Sequence, residues 1–125
     1  MKPFFTLLGA AILLSSFGCA VMPVYPEMTG VSFHHGELAA RFAGSLFEVA
    51  EGVRKASHRL QLAPVRESSD PVQARMVTYD PHGTRVVIRL IPVTDQMTEI
   101  RIQADVLGDE GYSRRILKEV QKHVP

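Results

Sequence analysis

The chain has 125 residues, enough for one folded domain, and 46% of them are hydrophobic, an ordinary share for a protein with a buried core. Its 14 Lys and Arg residues nearly balance its 13 Asp and Glu residues, which excludes the strongly basic surface of a nucleic-acid-binding protein. The single cysteine, Cys19, excludes an intramolecular disulfide framework.

The N-terminal segment has the features of a secretory signal peptide. Lys2 supplies a positive charge, residues 4–14 (FFTLLGAAILL) form an apolar stretch, and small residues lead up to Cys19. An apolar stretch of this length engages the translocation machinery but is short for a helix that spans a bilayer. We therefore predict a signal peptide over residues 1–18.

Cys19 is the predicted lipidation site. The Gly18-Cys19 pair resembles the lipobox of bacterial lipoproteins, in which the cysteine thiol receives a diacylglyceryl group and becomes the new N-terminus, although Ser16 and Phe17 depart from the usual pattern. Cleavage near Ala20 without lipid, and retention of the apolar stretch as a membrane helix, are the alternatives that the residues leave open. Two or more acyl chains would hold the protein firmly to a bilayer, whereas one chain binds reversibly.

The predicted location is the periplasmic face of the outer membrane. Cys19 is followed by Ala20 rather than by the Asp that is associated with inner-membrane retention of lipoproteins. The inner membrane and the soluble periplasm are the alternatives. Residues 19–30 are interpreted as lipid anchor and tether, because Pro and Gly recur there without helical or alternating periodicity.

The folded domain is predicted to span residues 31–125 and to begin with a strand. Leu38, Ala40 and Phe42 alternate with more polar residues, as in a half-buried strand. Ser45-Leu46-Phe47-Glu48 then matches the capping box that starts a helix.

That first helix is predicted to continue to Leu60, because apolar residues recur at helical spacing up to that point and Pro64 prevents a longer helix. Residues 63–69 form a weaker strand candidate. Alternation predicts three further strands within residues 72–79, 84–93 and 98–106.

The remaining elements complete the predicted fold. A hairpin turn is predicted at Asp80-Pro81-His82-Gly83, and Asp109 is the expected N-cap of a second helix that reaches Val124. The order β-α-β-β-β-β-α predicts an α+β domain, with an antiparallel sheet of four to five strands and two helices on one of its faces.

The residues indicate no reaction centre. Neighbouring strand residues such as His34 and His35 point to opposite faces and would not reach one metal ion. No serine or cysteine stands in a nucleophile motif, and Ser45 and Ser113 have structural roles in the predicted helices. We therefore expect no metal, no cofactor and no enzymatic activity. The histidines on a helix, in a turn and at the chain end are His58, His82 and His123.

The polar face of the predicted sheet is rich in arginine. Opposite charges on adjacent strands contribute about 0.2–1 kcal/mol each, so a solvated and cross-paired face is the simpler interpretation. The functional alternative is a docking face, because the planar, weakly hydrated guanidinium group is favoured in interfaces. The arginines of this candidate interaction face are Arg41, Arg75, Arg85, Arg89 and Arg101.

Residues 92–120, PVTDQMTEIRIQADVLGDEGYSRRILKEV, resemble the C-terminal half of an uncharacterised family of small bacterial lipoproteins, a domain of unknown function. The shared motifs are a T-E-I-R-I strand, here residues 98–102, and G-D-x-x-x-S-x-x-I-L, here residues 108–117. The upstream Gly-Cys pair, the capped helix and the hairpin occur in the same order. The resemblance implies a lipid-anchored envelope protein with an α+β domain, and it brings no known activity.

Two functions from different classes follow. The first is a non-enzymatic accessory protein that binds an envelope protein through the open sheet face or the loops. The alternative is a module that binds a small ligand or lipid in an apolar pocket between sheet and helices. Such a pocket would be lined by residues such as Phe42, Met76, Ile88 and Ile102.

Overall fold

Six strands and two helices make up most of residues 28–70 and 72–125, the part of the chain that the computed structural model describes. Neighbouring strands are all antiparallel, in the spatial order β1-β2-β6-β5-β4-β3. The predicted α+β class with an antiparallel sheet and two helices is confirmed. The elements are β1 (Met28–His34), β2 (Glu37–Ala43), α1 (Leu46–Arg59), β3 (Ala63–Ser69), β4 (Ala74–Tyr79), β5 (Arg85–Thr94), β6 (Met97–Ala104) and α2 (Glu110–His123).

The prediction of four to five strands is wrong, because β1 is an additional strand at the edge of the sheet. It begins at Met28, within the range interpreted as tether, and it pairs with β2 through a two-residue turn at His35-Gly36. Both turn residues have positive φ, 51° and 78°, as tight hairpins require. His35 stands where Asn or Asp usually marks such a turn, so the sequence favours one continuous strand. The predicted signal peptide and Cys19 lie outside the described residues.

The hydrophobic core lies on one face of the sheet, between the sheet and the helices. Leu38, Ile102, Ile88 and Met76 form one row across β2, β6, β5 and β4, and none of them is more than 7% exposed. The predicted alternation in these strands is therefore confirmed. The helices complete the core with the buried residues Val49, Val53, Ala56, Ile116, Leu117 and Val120.

The predicted helix starts and the hairpin turn are confirmed by their hydrogen bonds. The Glu48 backbone N–H donates to Ser45 Oγ at 3.2 Å, and the Ser45 N–H donates to Glu48 Oε1 at 2.9 Å, which completes the capping box. Asp109 accepts a hydrogen bond from the Tyr112 N–H at 3.0 Å. Asp80 closes the β4–β5 turn by accepting two backbone hydrogen bonds through one carboxylate oxygen. These local patterns place the ends of the elements.

The β1–β2 turn packs against the connection between β6 and α2. Gly108 has a φ of +84°, and a Cβ atom at this position would lie only 2.3 Å from the Gly36 Cα atom. Only two glycines allow the two backbones to approach this closely. The contact joins the edge hairpin to the start of the second helix.

Gly108→Ala should destabilise the domain more than Gly83→Ala. Gly83 has nearly the same φ, +83°, with nothing within 4 Å of a built Cβ, so its replacement costs only the left-handed strain of about 1–2 kcal/mol. Gly108→Ala adds the clash with Gly36, worth a further ~1–3 kcal/mol. Urea unfolding followed by circular dichroism compares the two variants. Equal losses of unfolding free energy would contradict the close contact.

Candidate functional site

The sheet face turned away from the helices, here called the outer face, carries all five arginines of the candidate interaction face. The strand register sets Arg101, Arg89 and Arg75 directly opposite one another on β6, β5 and β4. Like charges in direct opposition destabilise a sheet. The row therefore needs nearby carboxylates, from the protein or from a partner.

Two half-buried carboxylates neutralise one side of this row. Glu37 lies 2.5 Å from the Arg89 guanidinium and 3.7 Å from that of Arg101. Glu99 lies 2.6 Å from the Arg101 guanidinium and 3.2 Å from that of Arg41. Three of the five predicted arginines thus belong to a network within the sheet, as the simpler interpretation of a cross-paired face predicts for them.

The network changes the pKa of Glu99. Burial raises the pKa of this carboxyl group, but the hydrogen bonds from Arg101 and Arg41, together with their charges, lower it by more, so the pKa lies below its usual value. The charged form of Glu99 therefore stabilises the fold.

Arg66, Arg75 and Arg85 form no ion pair with any other residue in the described ranges 28–70 and 72–125. They surround the cross-strand pair Val77 and Val87, whose side chains are each 7% exposed. Arg66 is the register partner of Val77, Arg75 precedes Val77 by two residues, and Arg85 precedes Val87 by two residues. We call these five residues the Val77 patch.

The Val77 patch corrects two expectations. The outer face is not wholly polar, because it buries Val77 and Val87 among longer neighbouring side chains, whose aliphatic parts can cover small apolar ones. Arg66 belongs to this face because a bulge between Pro64 and Arg66 shifts the register of β3. No alternation in the sequence reveals that shift, so sequence reasoning misses Arg66.

A cavity of about 250 Å³ lies on the other face, between α1 and the β3–β4 edge of the sheet. Met76 and Ile88 line it, as predicted for a ligand pocket. Phe42 and Ile102, the other two residues predicted for its walls, are instead packed in the core with 0% exposure. We call this space the α1–β3 cavity.

The histidine pair does not have the predicted geometry. His34 ends β1, while His35 lies in the turn with φ of 51°, so the two rings meet with centroids 4.0 Å apart rather than pointing to opposite faces. In the described part of the chain, no group of three or more His, Cys, Asp or Glu residues could hold a metal ion.

These features define a small two-layer α+β protein whose two helices pack on one sheet face, and no helix of residues 28–70 and 72–125 packs on the charged outer face. The chain belongs to a family of proteins of unknown function, DUF3568, whose model matches residues 2–123. The match is consistent with the resemblance to an uncharacterised family, and it assigns no activity. A search of curated proteins gives no match to the chain.

Glu99→Gln should lower the unfolding free energy at pH 7 by about 1–2 kcal/mol, because the variant loses charged hydrogen bonds to two arginines. Since the folded-state pKa of Glu99 lies below its usual value of 4.5, its stabilisation is present above that pH and is lost as the pH falls through the folded-state pKa. The variant should therefore lose less stability than the wild type between pH 6 and about 3.

Urea unfolding at a series of pH values measures this difference. Glu51→Gln serves as the control, because Glu51 pairs with the exposed Arg54 and such surface pairs contribute about 0–1 kcal/mol. The same pH dependence in wild type and Glu99→Gln would disprove the role of this carboxylate.

Proposed function

We propose that this protein is a non-enzymatic envelope lipoprotein that binds an acidic segment of a partner protein through the Val77 patch. The observation that supports this proposal is a set of three arginines around a buried apolar pair, none of which has a carboxylate partner among the described residues. The centres of protein interfaces are commonly apolar, and arginine is enriched among the residues that contribute most to binding.

The charge distribution along the arginine row favours an acidic partner. Glu37 bridges Arg101 and Arg89, whereas no carboxylate of the described residues bridges Arg89 and Arg75. A partner carboxylate in that second position would repeat the arrangement that Glu37 already provides. Bidentate pairing with a planar guanidinium would also fix the orientation of the partner.

The ion pairs within the sheet reduce the number of predicted arginines that are available to a partner. Arg41, Arg89 and Arg101 already bind Glu37 or Glu99, so we assign them mainly to the support of the face. Of the five arginines of the candidate interaction face, Arg75 and Arg85 remain as docking residues. Arg66 is added to them. The chain is nearly neutral overall, so recognition depends on this local cluster rather than on long-range attraction.

Anchoring through an acylated Cys19 is the second part of the proposal. It is supported by the signal-like residues 1–18 and by the Gly18-Cys19 pair. None of the helices in the described residues is long and apolar enough to cross a bilayer. We propose the periplasmic face of the outer membrane as the site of attachment.

Charge reversal in the Val77 patch should abolish partner binding. A photoreactive benzoylphenylalanine replaces Tyr79, which pairs with Arg85 on the outer face and is 39% exposed. Irradiation of intact cells should give a discrete crosslinked product, which Arg75→Glu combined with Arg85→Glu removes. The control is Lys55→Glu combined with Lys118→Glu, two exposed helix positions with the same change in net charge.

Mass spectrometry then identifies the crosslinked protein and its contact segment. The proposal requires an acidic segment, and replacement of its carboxylates by lysine should restore crosslinking to the Arg75→Glu, Arg85→Glu variant. The same product in all variants, or a contact segment without acidic residues, would rule out the proposed docking.

Acylation of Cys19 is tested by the intact mass of the protein isolated from cell membranes. The wild type should carry the added mass of the lipid at its new N-terminus, and Cys19→Ala should keep its N-terminal segment or appear in the soluble fraction. Membrane fractionation should place the wild type with the outer membrane. An unmodified Cys19 in the membrane-bound wild type would contradict lipid anchoring.

A further inference from the structure

The α1–β3 cavity exists because the helices do not extend over the whole sheet. The main sheet contacts of α1 are with β5 and β6, and those of α2 are with β6 and β2. The inner faces of β3 and β4 therefore lie to one side of the two helices rather than directly beneath them. Opposite Met76 and Ala74, β3 presents Glu67 and Ser69, which do not close the space with apolar atoms.

The walls of the cavity are apolar and its rim is polar. Leu46, Ala50 and Val53 line it from α1, and Met76 and Ile88 line it from the sheet. The rim includes the serines of β3 and the ion pair between α1 and β3, in which Arg54 and Glu67 lie 2.9 Å apart. Such a site suits a ligand with an apolar body and a polar end that stays in water.

The volume selects a narrow ligand. About 250 Å³ is less than the ~300–1,000 Å³ of sites for drug-sized molecules, and more than the ~150 Å³ of an apolar cavity that binds benzene. One acyl chain fits these limits, whereas a lipid with two chains does not. The polar rim leaves room for a headgroup outside the cavity.

The position of the cavity favours a ligand from the membrane. Met28 pairs with Phe42, so the chain enters the domain at the sheet end where α1 begins, and Leu46 at this end lines the cavity. Met28 follows Cys19 by nine positions, a stretch of chain that reaches at most about 32 Å. A lipid anchor on Cys19, as in the proposed function, would hold this end near the bilayer. Phe47, 72% exposed, stands at the cavity rim.

We propose that the α1–β3 cavity binds the acyl chain of a single-chain amphiphile, such as a fatty acid, taken from the adjacent membrane. The apolar walls of the site lie on the face opposite the Val77 patch, and Arg75 is the one patch residue that also lines the cavity. Only its nearness to the bilayer rests on the proposed anchor.

Photolabelling of the full chain tests this site. The protein is reconstituted in phosphatidylcholine vesicles that contain a trace of dodecanoic acid with a diazirine at its terminal carbon, irradiated and digested. Adducts should map to residues 46–54 and 67–76, and an excess of unlabelled dodecanoate should remove them. Adducts confined to residues outside these two segments, or labelling that does not saturate, would overturn the proposal.

Two variants fill the cavity and one serves as the control. Ala50→Phe places a ring in the space, and Ser69→Phe narrows it from the exposed β3 edge, where a new side chain disturbs the core least. Each should reduce labelling of the two segments at least fivefold. Ala63→Phe, at the other end of β3, should label like the wild type.

The outcomes separate this proposal from the others. Circular dichroism shows whether each variant is folded, and unchanged labelling in a folded Ala50→Phe or Ser69→Phe variant would exclude the site. Saturable labelling that appears only in Cys19→Ala would assign the cavity to the acyl chain of the protein itself and would also overturn the proposal. Loss of partner crosslinking in an Arg66→Glu, Arg85→Glu variant, whose two positions do not line the cavity, leaves this labelling unchanged.

Discussion

One-sided burial of the sheet is the constraint on which both the core and the candidate site depend. Successive strand residues point to opposite faces, so the register that aligns Leu38, Ile102 and Ile88 beneath the helices also places Arg101 beside Arg89 on the outer face. A slip of one residue would exchange the two sets and bury the charges. The register of the arginines is therefore maintained by the hydrophobic core rather than by their own interactions. Their like charges oppose the arrangement, and Glu37 and Glu99 offset part of that repulsion.

The close packing of the two helices explains why the sheet extends beyond them. A Cβ atom on Gly52 of α1 would lie 2.8 Å from a methyl carbon of Val124, which follows α2, so only glycine allows the helices to approach this closely. Together they lie over β2, β6 and β5, and the inner face of β4 and β3 remains at their side. The α1–β3 cavity forms because the sheet is wider than the layer of two helices that packs on it. The Val77 patch lies largely across the sheet from it, and of the patch residues Arg75 alone also lines the cavity.

Most of the elements are predictable because their signals are local. The capping box at Ser45 and the N-cap at Asp109 act within four residues, and the alternation in β2 and β6 reflects a single buried face. β1 is missed because the turn at His35 uses an unusual residue in a left-handed conformation. Arg66 is missed because a bulge changes which face a residue occupies, and nothing in the spacing of residues 63–69 indicates it.

The amino-acid order alone thus accounts for the fold class, the ends of both helices, the arginine content of one sheet face and the chemical signals around Cys19. These properties follow from periodicity and from contacts between near neighbours in the chain. The order of the strands decides which arginines are neutralised. Glu37 reaches Arg89 across β6, a strand that begins 60 positions further along the chain. The cavity likewise depends on where the helices rest on the sheet. Long-range packing sets both features, and no local pattern in the sequence encodes them.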